Sequence, residues 1–177
     1  MTMTEDQLRQ IAVEQVALWN AKDVDGVLAR LTDDVAWSTP AKTVQGKAAA
    51  ADDMRETFTA FPDLTFDPAA MEVFINADAS AMVTTWSATG TLTGSQQGVP
   101  ATGRRGTVGG MTLARFRGDL ISEYRIAYDE LSYLQQFGLL PASDSIAFKA
   151  VVMGDVMAGK AWHVLQQQLH RRRTPTG

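Results

Sequence analysis

The sequence contains no cysteine, which excludes disulfides, thiol nucleophiles and thiolate metal sites in one step. Histidine is nearly as scarce. Both of the 2 histidines, His163 and His170, fall within the last fifteen positions, so residues 1–141 cannot supply a Ser-His-Asp triad or a His-based metal site. The two are also seven apart, two helical turns, where a helical metal pair needs i, i+4. No metal and no cofactor are expected. Cationic excess is missing too: 16 Lys and Arg stand against 20 Asp and Glu, a net charge of -4, which leaves no basic footprint for nucleic acid. No stretch approaches the roughly 18 uninterrupted apolar residues of a spanning helix. The start, MTMTEDQLRQ, has neither a basic n-region nor an apolar h-region, so a cytoplasmic protein without membrane contact is expected. Any chemistry falls to carboxylates, hydroxyls and amides.

What is present is the composition of an ordinary globular chain, 45% hydrophobic and 20% charged over 177 residues, enough for one well-formed core with an appendage. Leu8, Ile11, Ala12, Gln15, Leu18 and Trp19 follow the i, i+3, i+4, i+7 spacing of an amphipathic helix, which predicts a first helix from Glu5 to Ala21. A short second helix lies within DVDGVLARLTDDV, capped by Asp23, and VAWSTP reads as a brief strand stopped by Pro40. Gly46 opens a third helix, with an Ala-rich first half and a Met54, Phe58, Phe61 stripe, limited by Pro62. Four strand-like stretches follow: LTFDPAAMEVFIN, SAMVTTWSATGTLTG, RRGTVGGMTLARFRG and DLISEYRIAYD. They predict an α+β fold in which a curved antiparallel sheet, cone-shaped, packs against three N-terminal helices. From Ser143 the pattern is helical again, through Ile146, Ala150, Met153, Met157, Ala161, Val164 and Leu169, with a frayed tail HRRRTPTG. The expected division is a pocket domain over 1–141 and a helical C-terminal extension over 142–177. GRRGTVGG fits neither the dinucleotide nor the phosphate-loop spacing.

The segments TGTLTGSQQGVPATGRR and RFRGDLISEYRIAYDELSYLQQFGLLP, with WNAKDVDGVLARLTDDVAW, the G-K-A at Gly46 and AFPDL at Ala60 to Leu64, resemble the SnoaL-like polyketide cyclase family of the nuclear transport factor 2-like superfamily. The resemblance covers about residues 5 to 141. It implies a cone-shaped α+β barrel, a homodimer formed through the sheet, and a pocket for an apolar or aromatic small molecule between helices and sheet. It also implies a cofactor-independent, aldol-type ring closure on a polyketide-like substrate, with an aspartate at the end of the last strand as general acid/base. The matching position is Asp129. Where relatives carry an aromatic residue four positions earlier and often a histidine in the preceding strand, this chain has Arg125 and Leu92. Two other plans in the superfamily lack their residues here. The position of the ketosteroid isomerase base is Thr39, and MVTTWSATGT offers neither the carboxylate nor the arginine of an epoxide-hydrolase set.

Two readings of Asp129 follow. It moves a proton in an apolar pocket, worth roughly 10²- to 10⁴-fold in rate, or it caps the helix DELSYLQQFG. Strand alternation puts Glu123, Arg125, Ala127 and Asp129 on one side and Tyr124, Ile126 and Tyr128 on the other, and only one side faces a cavity. Arg125 either polarises a substrate oxygen or pairs with Glu123 or Asp119 at a rim. Candidate substrate contacts are Gln15, which interrupts an apolar stripe, the aromatic residues Trp37, Phe58, Phe61 and Trp86, and Arg115. Each has a plainer reading as core or surface. Hydration or hydroxylation of a related polycyclic substrate, isomerisation, and ligand binding without conversion are the alternatives to cyclisation.

Overall fold

The structure, a computed structural model, describes residues 3–96, 98 and 100–154. Expectations for His163, His170, the distal half of the extension and the tail lie outside the described residues. The chain divides into two units, Met1–Leu139 and Leu140–Gly177.

The first unit opens with α1, Glu5–Ala21. Thr4 and Gln7 form a reciprocal capping box at its start, and Lys22 in the left-handed region ends it, so both termini satisfy backbone groups that the helix itself cannot. Its buried face is Leu8, Ile11, Ala12, Gln15 and Trp19, the predicted stripe. Helix α2, Val24–Ala29, is capped by the Asp23 carboxylate accepting from Gly26 N. Helix α3, Lys47–Ala60, starts at Gly46, whose φ of 85° is in the glycine-favouring region.

Seven strands build the sheet: β1 (Leu31–Ser38), β2 (Thr43–Gln45), β3 (Thr65–Phe66), β4 (Val73–Ile75), β5 (Ala81–Thr91), β6 (Arg105–Arg117) and β7 (Leu120–Tyr128). Their order is β2-β1-β7-β6-β5-β3, with β4 also on β5. A seven-residue helix α4, Glu130–Gln136, follows. The second unit carries helix α5 over residues 146–154, begun by the Ser145 hydroxyl accepting from Phe148 N at 3.0 Å. No helix among the described residues is long and apolar enough to cross a membrane.

Two features depart from the expected meander. LTFDPAAMEVFIN is not one strand but β3 and β4 separated by a 3-10 turn, Pro68–Ala70, because Pro68 cannot donate to a ladder. The β1 strand is longer than VAWSTP and pairs with β7 in parallel. The first helices, β1 and α3 precede the long β5–β6–β7 run, so the returning last strand meets β1 from its free side and in the same direction. That pairing draws the sheet into a curve against the helices. The principal core lies between them, with Leu8, Val27, Leu31, Val35, Trp37, Met54 and Ile121 fully buried. A smaller cluster of Ala60, Phe61, Leu92 and Phe137 closes the far end.

Candidate functional site

Between the two clusters lies a cavity of about 150 Å³, room for a small aromatic molecule. Helices α1 and α3 supply Ala12, Gln15, Val16, Trp19, Asp53 and Thr57; the sheet supplies Thr84, Trp86, Ala88, Val108, Thr112, Tyr124, Ile126 and Tyr128; Phe61, Phe137 and Tyr133 close it. Its wall is chiefly apolar and aromatic with a few polar groups, the usual make-up of a small-molecule site.

The rings form a connected collar. Trp86 packs edge-on against Phe66 at 5.6 Å and Tyr128 at 6.4 Å, Tyr128 meets Tyr133 at 5.7 Å, and Tyr133 meets Phe137 at 4.9 Å between centroids. Two glycines of β6 make this possible. A Cβ on Gly110 would lie 2.4 Å from the Trp86 ring and 2.6 Å from the Ala127 carbonyl oxygen, and one on Gly106 would lie 2.9 Å from the Phe137 ring. The rings therefore rest on bare main chain.

Most polar groups of the wall are paired. Trp86 Nε1 donates to Thr112 Oγ1 at 3.0 Å. Tyr133 Oη donates to Gln96 Oε1 at 3.0 Å, Gln96 Nε2 to Thr57 Oγ1 at 2.9 Å, and Thr57 Oγ1 to the Asp53 carbonyl at 3.0 Å. This relay spends both ends of the Gln96 amide. Burial pushes the phenols of Tyr124, Tyr128 and Tyr133 up to about 12. All three hydroxyls thus keep their protons well above neutral pH.

Two groups remain with unspent capacity. Gln15 is 6% exposed, and neither its Nε2 nor its Oε1 finds a hydrogen-bonding partner among the described residues. Asp53 is 4% exposed. Trp37 Nε1 donates to its Oδ2 at 2.9 Å, and the Lys42 ammonium stands 3.0 Å from Oδ1. That second contact is an ion pair, and the Lys42 ammonium is the one partner of Oδ1 among the described residues. The Asp53 contact, with a smaller contribution from Glu56 at 3.3 Å, raises the Lys42 pKa against the opposing effect of burial.

The predicted site residues separate accordingly. Gln15, Phe61 and Trp86 line the cavity. Trp37 is fully buried, stacked on Tyr124 at 4.5 Å, and Phe58 packs edge-on against Trp19 at 5.4 Å; neither is a lining residue, and both pack on Trp19, which is. Arg115 and Arg125 are on the outer sheet face, where both pair with Glu123, at 3.2 and 3.0 Å. The rim reading of Arg125 therefore describes its place. Asp129 is exposed and caps α4, its Oδ1 accepting from Ser132 N at 3.0 Å. It is the Tyr124, Ile126, Tyr128 side of β7 that faces the cavity. Leu92, standing where relatives often have histidine, is buried in the second core cluster.

Sequence reasoning passed over Asp53, Thr57, Tyr128 and Tyr133. For Asp53 a signal existed: it sits at i+3 from Ala50 and directly before Met54, on the buried stripe of α3. A carboxylate there requires partners, and Trp37 and Lys42 provide them.

Comparison with known structures returns the same architecture. AclR of Streptomyces galilaeus, a hydroxylase candidate, superposes with a TM-score of 0.68 at 21% identity over 90% of this chain and 99% of its own. TsrD of Streptomyces laurentii gives 0.68 at 20% identity, covering 78% and 99%. A candidate polyketide cyclase of Pseudomonas putida gives 0.62 at 22% identity, covering 69% and 91%. No functionally curated protein matches the chain. The profile of the SnoaL-like polyketide cyclases matches residues 10–137, most of the length, from within α1 to the end of α4, and the curved seven-stranded sheet with its helices agrees: the chain belongs to the SnoaL-like polyketide cyclase family.

Proposed function

We propose that this protein is an enzyme that closes a ring, by an aldol-type or related step, in a polyketide-like small molecule of natural-product biosynthesis, using proton transfer and no cofactor. The observation that carries the reading is Gln15. A buried amide with both ends unpartnered costs the fold about 1–3 kcal/mol, and it is retained at the wall of an aromatic cavity, where a ligand bearing oxygen would meet both its donor and its acceptor. Trp86, Phe61 and Phe137 would hold the ring of that ligand, and the protonated Tyr128 hydroxyl would donate to a developing oxyanion.

The reading is tested with 2-naphthol, an aromatic ligand with one hydroxyl, followed by its fluorescence. Saturable binding is expected, weakened about tenfold, or 1.4 kcal/mol, in Gln15→Leu. Absence of saturable binding would remove the reading. Turnover is tested with a single-ring aromatic carrying a 1,3-dicarbonyl arm and a second ketone in the same molecule; the expected product is isomeric with the substrate or short of one water. Hydroxylation is the second reading, favoured by the similarity to AclR, and oxygen incorporated from solvent or air into the product would establish it in place of ring closure.

We further propose that the outer sheet face pairs with a second copy of the chain. Across the strands, Phe74 stands beside Val83 and Val83 beside Leu113, while Met111 stands beside Ala127. Phe74 and Met111 are 56% and 51% exposed, an apolar band of the kind that marks an interface. Light scattering should give a dimer for the native chain and a monomer for Met111→Asp. A monomeric native chain would refute the pairing.

A further inference from the structure

We infer that Asp53, on helix α3, is the general base of this cavity, with Tyr128 as the hydroxyl that receives the developing negative charge. The inference rests on the reading of the cavity as a catalytic site and assigns its proton-transfer groups. Asp53 is the carboxylate among the lining residues, and its side chain is buried. Its two oxygens are unlike. Oδ2 is held by the Trp37 indole, which fixes the plane of the carboxylate. Oδ1 has the Lys42 ammonium at 3.0 Å as its partner, one contact on an oxygen with two lone pairs, so a lone pair remains for a substrate proton.

A general base must be oriented without being exhausted. Trp37 from β1 and Lys42 from the β1–β2 turn orient Asp53, which lines the cavity. Tyr128 lines the same cavity, and burial, then Tyr133, Glu130 and Asp53, raise its phenol. No hydrogen bond to Tyr128 Oη occurs among the described residues, unlike Tyr133, which is committed to Gln96. The charged and titratable groups around Asp53 are thus Lys42, with Glu56 beside it, and Tyr128 in the wall of the same cavity. Two carboxylates and one ammonium leave this end of the site with a surplus of negative charge, so the group presented to Asp53 is a neutral proton donor, a C–H beside a carbonyl or a hydroxyl, rather than an anion.

In a ring closure Asp53 takes the proton from carbon between two carbonyls. The C–H electron pair forms the enolate, whose oxygen accepts from Tyr128. The enolate carbon bonds to the second ketone carbon, and the resulting alkoxide takes the proton back from Asp53. Atoms and electrons balance, and nothing further is consumed.

The test uses 5-nitrobenzisoxazole, a flat C–H acid whose elimination needs one base and is helped by one hydroxyl donating to the departing oxygen. A base removes its ring proton, the N–O bond breaks, and the electron pair emerges on a coloured phenolate. The full chain should accelerate this elimination above buffer. Asp53→Asn should lose about 100-fold or more in kcat while still binding 2-naphthol, and Tyr128→Phe should lose roughly tenfold in kcat with KM unchanged. Asp129→Asn should keep the native rate. Because Asn at position 53 alters a buried pair, circular dichroism accompanies the assay, and Tyr128→Phe, which removes only one oxygen, keeps the proposal open to refutation if that variant unfolds. Binding of 2-naphthol without elimination by the native chain, native rates in Asp53→Asn or Tyr128→Phe, or loss of rate in a folded Asp129→Asn would each overturn the assignment. Only failure of 2-naphthol to bind would count against the cavity reading itself.

Discussion

Trp37→Ala is expected to lower stability by about 3–5 kcal/mol, a large part of the roughly 5–15 kcal/mol that holds a domain of this size. Three losses coincide at this position. The indole is fully buried and its removal leaves a void between α1 and the sheet. The ring stacks on Tyr124 at 4.5 Å and an 8° interplanar angle, and on Trp19 at 6.3 Å and 18°, contacts worth about 0.5–1.5 kcal/mol each beyond area. Its Nε1 is also the directed donor to the buried Asp53 carboxylate, and a hydrogen bond to a charged group contributes about 1.5–3 kcal/mol. Urea denaturation followed by circular dichroism should show the midpoint falling with the slope unchanged. Trp37→Phe separates the parts: it keeps most of the stacking, loses the donor, and should fall between the native chain and Trp37→Ala. A Trp37→Ala protein as stable as the native one would show that the surrounding shell collapses into the void.

Gln15→Leu should act in the opposite direction on stability. The buried amide has paid its dehydration and gains no bond within the chain, so an isosteric apolar side chain on the stripe of Leu8, Ile11, Ala12 and Trp19 should raise stability by about 1–3 kcal/mol. In a domain of this size that corresponds to a melting temperature higher by roughly 2–8 °C. Calorimetry gives the answer directly. The gain would accompany the weaker 2-naphthol binding described above, the usual exchange between stability and a site held ready for ligand. An unchanged or lower melting temperature would mean that the amide finds partners in solution.

Much of this fold was readable from spacing alone. The stripe from Leu8 to Trp19 marks α1, Asp23 marks the start of α2, and Gly46 marks the start of α3, because each is a local signal with a local cause. The parallel pairing of β1 with β7 was not readable. It joins residues about ninety apart in the chain through main-chain hydrogen bonds that carry no side-chain signature. The orientation of β7 follows from that pairing. Alternation divides Tyr124 and Tyr128 from Arg125 and Asp129 but cannot say which set faces inward. The register decides: Tyr124 stands beside Trp37 and Arg125 beside Ser38, so once Trp37 is committed to the core, Tyr124 and Tyr128 go inward with it. The same step takes Arg125 to the outer face. For Asp129 the strand has already ended, and the requirement of α4 for a terminal acceptor fixes where its carboxylate points.

The bare main chain beneath Trp86 and Phe137 bears on how such a site changes over generations. Much of the cavity's outline is set by the absence of atoms at Gly110 and Gly106, two positions that a survey of ligand contacts would rank low. A methyl group at Gly106 would tilt the Phe137 ring and redraw that wall, whereas one at Gly110 would also press on the Ala127 carbonyl oxygen of β7, beside Tyr128. Libraries seeking altered substrate preference should therefore include Gly106 beside the aromatic residue it supports and leave Gly110 unchanged.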